Sequence, residues 1–187
     1  MDPGFRIFAT MNPAEYAGRS QLSPAYLNRW RGYLFVSPPS ESDLWAMLRL
    51  LVFGRQPEIT HLGQSYAGVA VAAPYGALAK IEGMDRFLAA LARFEVAIEA
   101  SSGQDGGTAR IGARRRERHI YTRRDLLSVL RCIAEAVEAA RGQEPARAIR
   151  LALARYYVNR LSTSEDRKAV LRLLDAAGIG PNTWSIP

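Results

Sequence analysis

One cysteine (Cys132), two histidines (His61 and His119) and two lysines (Lys80 and Lys168) are all that this 187-residue chain holds of those types. A single cysteine excludes an intramolecular disulfide and a cysteine-built zinc cluster. Two histidines cannot make a three-histidine centre, so no metal site is expected. Long apolar runs are also missing. The longest charge-poor stretch, Ile59 to Ala79, is interrupted by Gly63, Gly68, Pro74 and Gly76, and nothing reaches the length of a membrane-spanning helix. The opening Met1-Asp2-Pro3-Gly4 lacks the basic stretch and apolar core of a secretory signal. A cytoplasmic protein is therefore expected. No G-x-x-x-x-G-K-[ST] occurs, and neither lysine follows a glycine-rich turn, so the chain has no P-loop to cradle phosphates.

What is present is a globular composition: 48% hydrophobic, 23% charged, enough for one domain of ordinary size. Arginine carries nearly all the positive charge. The net +7 is concentrated in residues 101–160, which hold 13 arginines against 6 acids, a local excess that suits an anionic partner. The run Arg114-Arg115-Arg116-Glu117-Arg118 has no aromatic platform beside it, so nucleic acid is not the expected partner.

Phe5 to Met11 alternates bulky and smaller side chains and reads as a buried strand that ends at Asn12-Pro13. Ser23-Pro24 opens a short helix that ends near Arg29-Trp30, with Leu22 and Leu27 placed as a staple. Tyr33 to Val36 reads as a second strand, stopped by Pro38-Pro39. Helical periodicity then takes over. Ser40 with Asp43 makes a capping box before the stripe Leu44, Met47, Leu48, Leu51 and Val52, which Gly54 ends. Ile59–His61 and Gln64–Tyr66 flank Leu62-Gly63 as a small hairpin. A second stripe runs Met84, Phe87, Leu88, Leu91, Phe94, Ile98.

Ser101 to Ala109 is rich in glycine and serine, and a mobile linker is expected over about 101–117. Thr122 with Asp125 caps a helix through Leu126, Leu130, Ile133 and Val137; Pro145 opens another through Ile149, Leu153, Tyr156, Tyr157 and Leu161. Ser162 with Glu165 caps a last one that ends at Gly178. The expected domains are 1–39, the end of a sheet-bearing core, and 40–180, a helical unit.

The residues Phe5-Arg6-Ile7-Phe8-Ala9-Thr10-Met11-Asn12-Pro13, Tyr16-Ala17-Gly18-Arg19, Leu22-Ser23-Pro24-Ala25 and Asn28-Arg29-Trp30 resemble the stretch from sensor 1 to the arginine finger of AAA+ ATPases in the MoxR, midasin and dynein-related branch. Tyr121 to Leu130 looks like the sensor-2 helix of the same branch. The resemblance implies a mainly α chain: the last strands and short helix of an AAA+ α/β core, followed by a helical lid bundle. It makes Asn12 the amide that orients the attacking water, and Arg29 the finger offered to a neighbouring subunit's γ-phosphate, with Arg19 and Arg31 as alternatives. Arg124, with Arg123 beside it, becomes the nucleotide-sensing pair of the lid. These two arginines have a physical signal of their own, since positive charge in a helix's first turn opposes the helix dipole unless an anion lies in front of it.

The family's P-loop and metal-holding acids lie upstream of sensor 1. The resemblance thus implies a half-module that binds ATP and Mg2+ only with an upstream P-loop half and holds neither tightly alone. It also implies a homo-oligomeric ring, commonly a hexamer in this branch, and an unidentified protein client that ATP hydrolysis remodels. The alternative is a non-catalytic helical interaction module of ATPase ancestry.

Overall fold

The computed structural model describes residues 7, 9–10, 23, 25, 28–30, 32, 34, 36–54, 59–61, 63–66, 70–102, 111, 121, 123–141 and 143–180. The chain is mainly helical. It divides into two units, Met1–Pro38 and Pro39–Pro187.

In the first unit Ala25 is helical and Asn28-Arg29 form a turn; residues 24, 26 and 27 of the expected short helix lie outside the described residues. Of the two expected strands, Phe5 to Met11 and Tyr33 to Val36, residues 7, 9, 10, 34 and 36 are described and the others lie outside the described residues. Ile7 is 67% exposed, Leu34 90% and Val36 79%, and these residues, with Ala9 and Thr10, are in no strand. Apolar alternation creates a strand only where a neighbouring strand supplies hydrogen bonds and a second layer supplies burial. Among the described residues of this unit neither exists.

Among its described residues the second unit holds five α-helices. Helix α1 spans Glu41–Phe53 and opens on the expected capping box: Asp43 N–H donates to Ser40 Oγ at 3.2 Å, and Ser40 N–H to Asp43 Oδ2 at 2.8 Å. The Ser40 hydroxyl, donating to Asp43 Oδ2 at 2.7 Å, and then the Ser40 N–H hold the Asp43 carboxyl below the usual range. Gly54 ends the helix at φ 67°, the left-handed region that glycine enters without a Cβ penalty. Val71 N–H then bonds to Gly54 O, and Tyr75 N–H to Leu51 O, occupying carbonyls that a helix end leaves orphaned.

Between these points lies the hairpin β1 (Ile59–His61) and β2 (Gln64–Tyr66), antiparallel with Ile59 opposite Tyr66 and His61 opposite Gln64. A 3-10 turn, Gly76–Lys80, leads into α2, Met84–Ser102. Helix α3 spans Arg123–Ala139, α4 Pro145–Leu153 and α5 Ser164–Ala177.

Helix α4 continues as a π turn, Ala154–Val158, whose wider hydrogen bond runs from Asn159 N–H to Ala154 O at 2.9 Å. Leu161, expected inside this helix, follows the π turn and stays buried. The expected cap of the last helix shifts by one residue. Thr163, not Ser162, is extended (φ −100°, ψ 146°), and its Oγ1 accepts from Asp166 N–H at 3.1 Å; Asp166 replaces Glu165 as its partner. The helix ends at Gly178 as expected, with Ile179 N–H reaching Leu174 O and Gly178 N–H reaching Asp175 O, a paired closure that satisfies two terminal carbonyls.

Helix α1 packs on α2, α3 on α4, and α5 on α2. Their inner faces meet in one apolar core that includes Leu48, Leu88, Leu91, Phe94, Ile98, Leu126, Leu130, Ile133, Ile149, Tyr157 and Val170, all fully buried. The pairs Arg49–Asp85 (2.9 Å) and Arg93–Glu41 (3.4 Å) bridge α1 and α2 at the surface. Exposed pairs of this kind contribute little to stability, so burial of the stripes carries the packing.

Candidate functional site

Of the residues that the sequence nominates, Asn12, Arg19 and Arg31 lie outside the described residues, as do Thr122 and most of the linker expected over 101–117. Arg29 belongs to the first unit, where it is exposed in the turn after Ala25. Arg123 and Arg124 belong to the second and begin α3. Arg124 is exposed, while the Arg123 side chain is outside the described residues. Each arginine is placed within its own unit.

The residue after the arginine pair fixes the start of α3. Asp125 is only 16% exposed. Its Oδ1 accepts from Tyr156 Oη at 2.9 Å and from Arg160 Nη1 at 3.3 Å. Arg160 also lies over the Tyr156 ring at 4.8 Å, so one guanidinium meets both a carboxylate and an aromatic face. The Tyr156 hydroxyl is pushed above its ordinary pKa by burial and then by its bond to Asp125. The first turn of α3, with Arg124 one peptide away, is thereby pinned to the π turn that ends α4.

Deeper in, the π turn carries a second and wholly buried group. Tyr157 Oη donates to Glu95 Oε2 on α2 at 2.7 Å. Tyr157's own carbonyl accepts from Tyr121 Oη at 2.8 Å. The Tyr157 ring meets Phe94 edge-on at 4.8 Å and Tyr121 at 5.6 Å. Glu95 is 0% exposed, and its Oε1 has no hydrogen-bond partner. Burial is the main reason that its carboxyl is raised to about 7; the Tyr157 hydrogen bond opposes the rise, and the acids Asp125 and Glu99 add to it. Burial also raises the Tyr121 and Tyr157 hydroxyls, Tyr157 further through the neighbouring Glu95. Glu95 is thus a proton-binding group within the apolar core.

Sequence reasoning passes over Glu95, Asp125's partners and the π turn. One signal was present: Glu95 interrupts the apolar stripe between Leu91 and Ile98, at the i+4 and i−3 positions that face the core.

Among the described residues no group of three or more His, Cys, Asp or Glu is placed to hold a metal, and no helix is long and apolar enough to cross a membrane. Compared with family models, curated proteins and solved structures, the chain matches none.

Proposed function

We propose that this chain supplies the sensor, finger and lid portion of an AAA+ ATPase of the MoxR, midasin and dynein-related branch, which couples ATP binding and hydrolysis to the remodelling of a protein partner. One observation carries the reading: the motif from Phe5 to Trp30, which holds Asn12 and Arg29, precedes a helical unit in which a helix opens on Arg123-Arg124. In this reading Asn12 orients the attacking water, Arg29 reaches the γ-phosphate held by a neighbouring ring subunit, and Arg124 senses nucleotide in its own subunit. The P-loop half, in the same protein or a partner chain, holds ATP and Mg2+. No step at the metal falls to this chain's residues.

The test has two arms. The coding sequence adjoining Met1 should encode a P-loop and an acidic strand end, and the joined product should hydrolyse ATP. In that product Arg29→Ala should leave nucleotide affinity within a few-fold and lower turnover by about 10³-fold, the scale of a lost arginine finger; Arg29→Lys should restore little, because a point charge lacks the planar fork. Full activity in Arg29→Ala would remove the finger assignment. Magnesium-dependent turnover by the present chain alone would overturn the division into halves. Absence of any P-loop partner would leave a non-catalytic interaction module.

A further inference from the structure

Glu95 and Tyr157 come from segments 62 residues apart and meet where α4 passes into its π turn. That junction is lightly held. The backbone leaves the π turn through the wide bond from Asn159 N–H to Ala154 O and the bond from Leu161 N–H to Val158 O, and Tyr157's carbonyl accepts from a side chain, Tyr121 Oη. Turns of this type recur where helices do something besides support a fold.

The groups facing Glu95 are one-sided in charge. From α2 itself comes Glu99, from α3 Asp125, from the π turn Tyr157, and Tyr121 stands behind Tyr157. Asp125 is engaged with Arg160. No cation among the described residues acts on the Glu95 carboxyl. With a proton on Oε1, Oε2 still accepts from Tyr157 and one neutral hydroxyl is left unmet. Without it, a buried carboxylate keeps one oxygen bare and two acids near, a much costlier state. Oε1 is buried, so water reaches it only when the packing around Glu95 opens.

We propose that the Glu95–Tyr157 pair is a proton-operated latch between α2 and the π turn of α4, closed when the Glu95 carboxyl is protonated and loosened when it ionises. The latch stands independently of the ATPase reading, and its test uses no nucleotide.

The experiment is amide hydrogen exchange on the whole chain by NMR between pH 5 and 8, with rates corrected for the pH dependence of intrinsic exchange. The reporting amides are Asn159 and Leu161, bonded to Ala154 O and Val158 O. The Gly54 and Ile179 amides, which close α1 and α5, serve as controls. A carboxyl titrating near 7 when closed, against an ordinary 4.5 when open, should raise the opening constant at Asn159 and Leu161 about forty-fold from pH 5 to pH 7, with less than a further doubling by pH 8. Glu95→Gln should abolish that dependence. If Glu95→Gln fails to fold, the Glu95 side-chain carboxyl carbon, followed in the unmodified chain, should titrate near 7. A flat profile at Asn159 and Leu161, an equal rise at Gly54 and Ile179, a dependence that survives in Glu95→Gln, or a Glu95 midpoint near 4.5 would each overturn the latch.

Discussion

Replacing Tyr157 by phenylalanine should cost more stability at alkaline than at acidic pH. The substitution keeps the ring against Phe94 and Tyr121 and leaves Tyr157's carbonyl free to accept from Tyr121, so only the hydroxyl aimed at Glu95 is lost. The parent protein sets the baseline. Glu95 stands at about 7 folded against an ordinary value of 4.5. A raised carboxyl means that the folded state binds the proton more tightly, so stability is fully present below pH 4.5 and declines as pH rises to 7. About 3 kcal/mol is lost across that window, at 1.36 kcal/mol per unit.

Below pH 5 the Tyr157 hydroxyl serves a neutral acid, and its removal costs about 1 kcal/mol. Above pH 7 it serves a buried carboxylate, where a bond to a charged group is worth about 1.5–3 kcal/mol. The penalty of Tyr157→Phe should therefore grow by about 1 kcal/mol between pH 5 and pH 8. The upper end of the declining window should move up by about one pH unit, because the removed bond was the one influence lowering Glu95. Urea unfolding followed by circular dichroism at several pH values measures both. A penalty that is constant with pH, or larger at pH 5, would refute the assignment of Glu95 as the group that titrates.

Two further substitutions test the helix ends. Thr163→Ala should destabilise by about 1 kcal/mol through loss of the cap to Asp166 N–H, whereas Ser162→Ala should change the urea midpoint little; the reverse order would restore the cap expected from the sequence. Gly54→Ala would force a Cβ onto the Val71 carbonyl oxygen at φ 67°, so its stability should fall by more than the roughly 1–2 kcal/mol of the left-handed conformation alone, seen as a lower thermal midpoint, and an unchanged midpoint would contradict the close approach of residues 54 and 71.

Local signals were legible and distant ones were not. Ser40 with Asp43, Gly54 and Gly178 mark helix ends by chemistry within a few residues, and each lies where the pattern puts it. The stripes of α1, α2 and α3 follow from a 3.6-residue period. The last cap slipped by one because Ser162 and Thr163 are adjacent hydroxyl residues, each with an acid three positions on, and only the backbone decides which is extended.

The π turn is visible in hindsight. Ile149, Leu153, Tyr157 and Leu161 recur at steps of four, which overshoot a 3.6-residue turn; a wider turn brings Tyr157 back to the core while Tyr156 reaches Asp125. Glu95 was readable as an acid in a buried stripe. Its partner was not, since nothing local joins residue 95 to residue 157. The candidate residues of the first 38 positions stand on resemblance, with Arg29 the one whose backbone and exposure are described.

The two polar clusters share one element, and this has a mechanical consequence. Tyr157 ties the π turn to Glu95 on α2, and Tyr156 with the nearby Arg160 ties it to Asp125 at the head of α3. Asp125 is covalently next to Arg124. If ionised Glu95 lifts the π turn, Tyr156 and Arg160 move with it, and Asp125 must either follow or lose its partners. Either outcome changes how Arg124 is held, because the first turn of α3 takes its tie to α4 from that carboxylate. Interiors packed this closely shift between discrete arrangements and do not deform smoothly. A proton at Glu95 and an anion at Arg124 would then act on the same equilibrium, one through α2's contact with the π turn and the other through α3's. By linkage, an anion that favours the closed arrangement must also raise the affinity of Glu95 for its proton by the same factor.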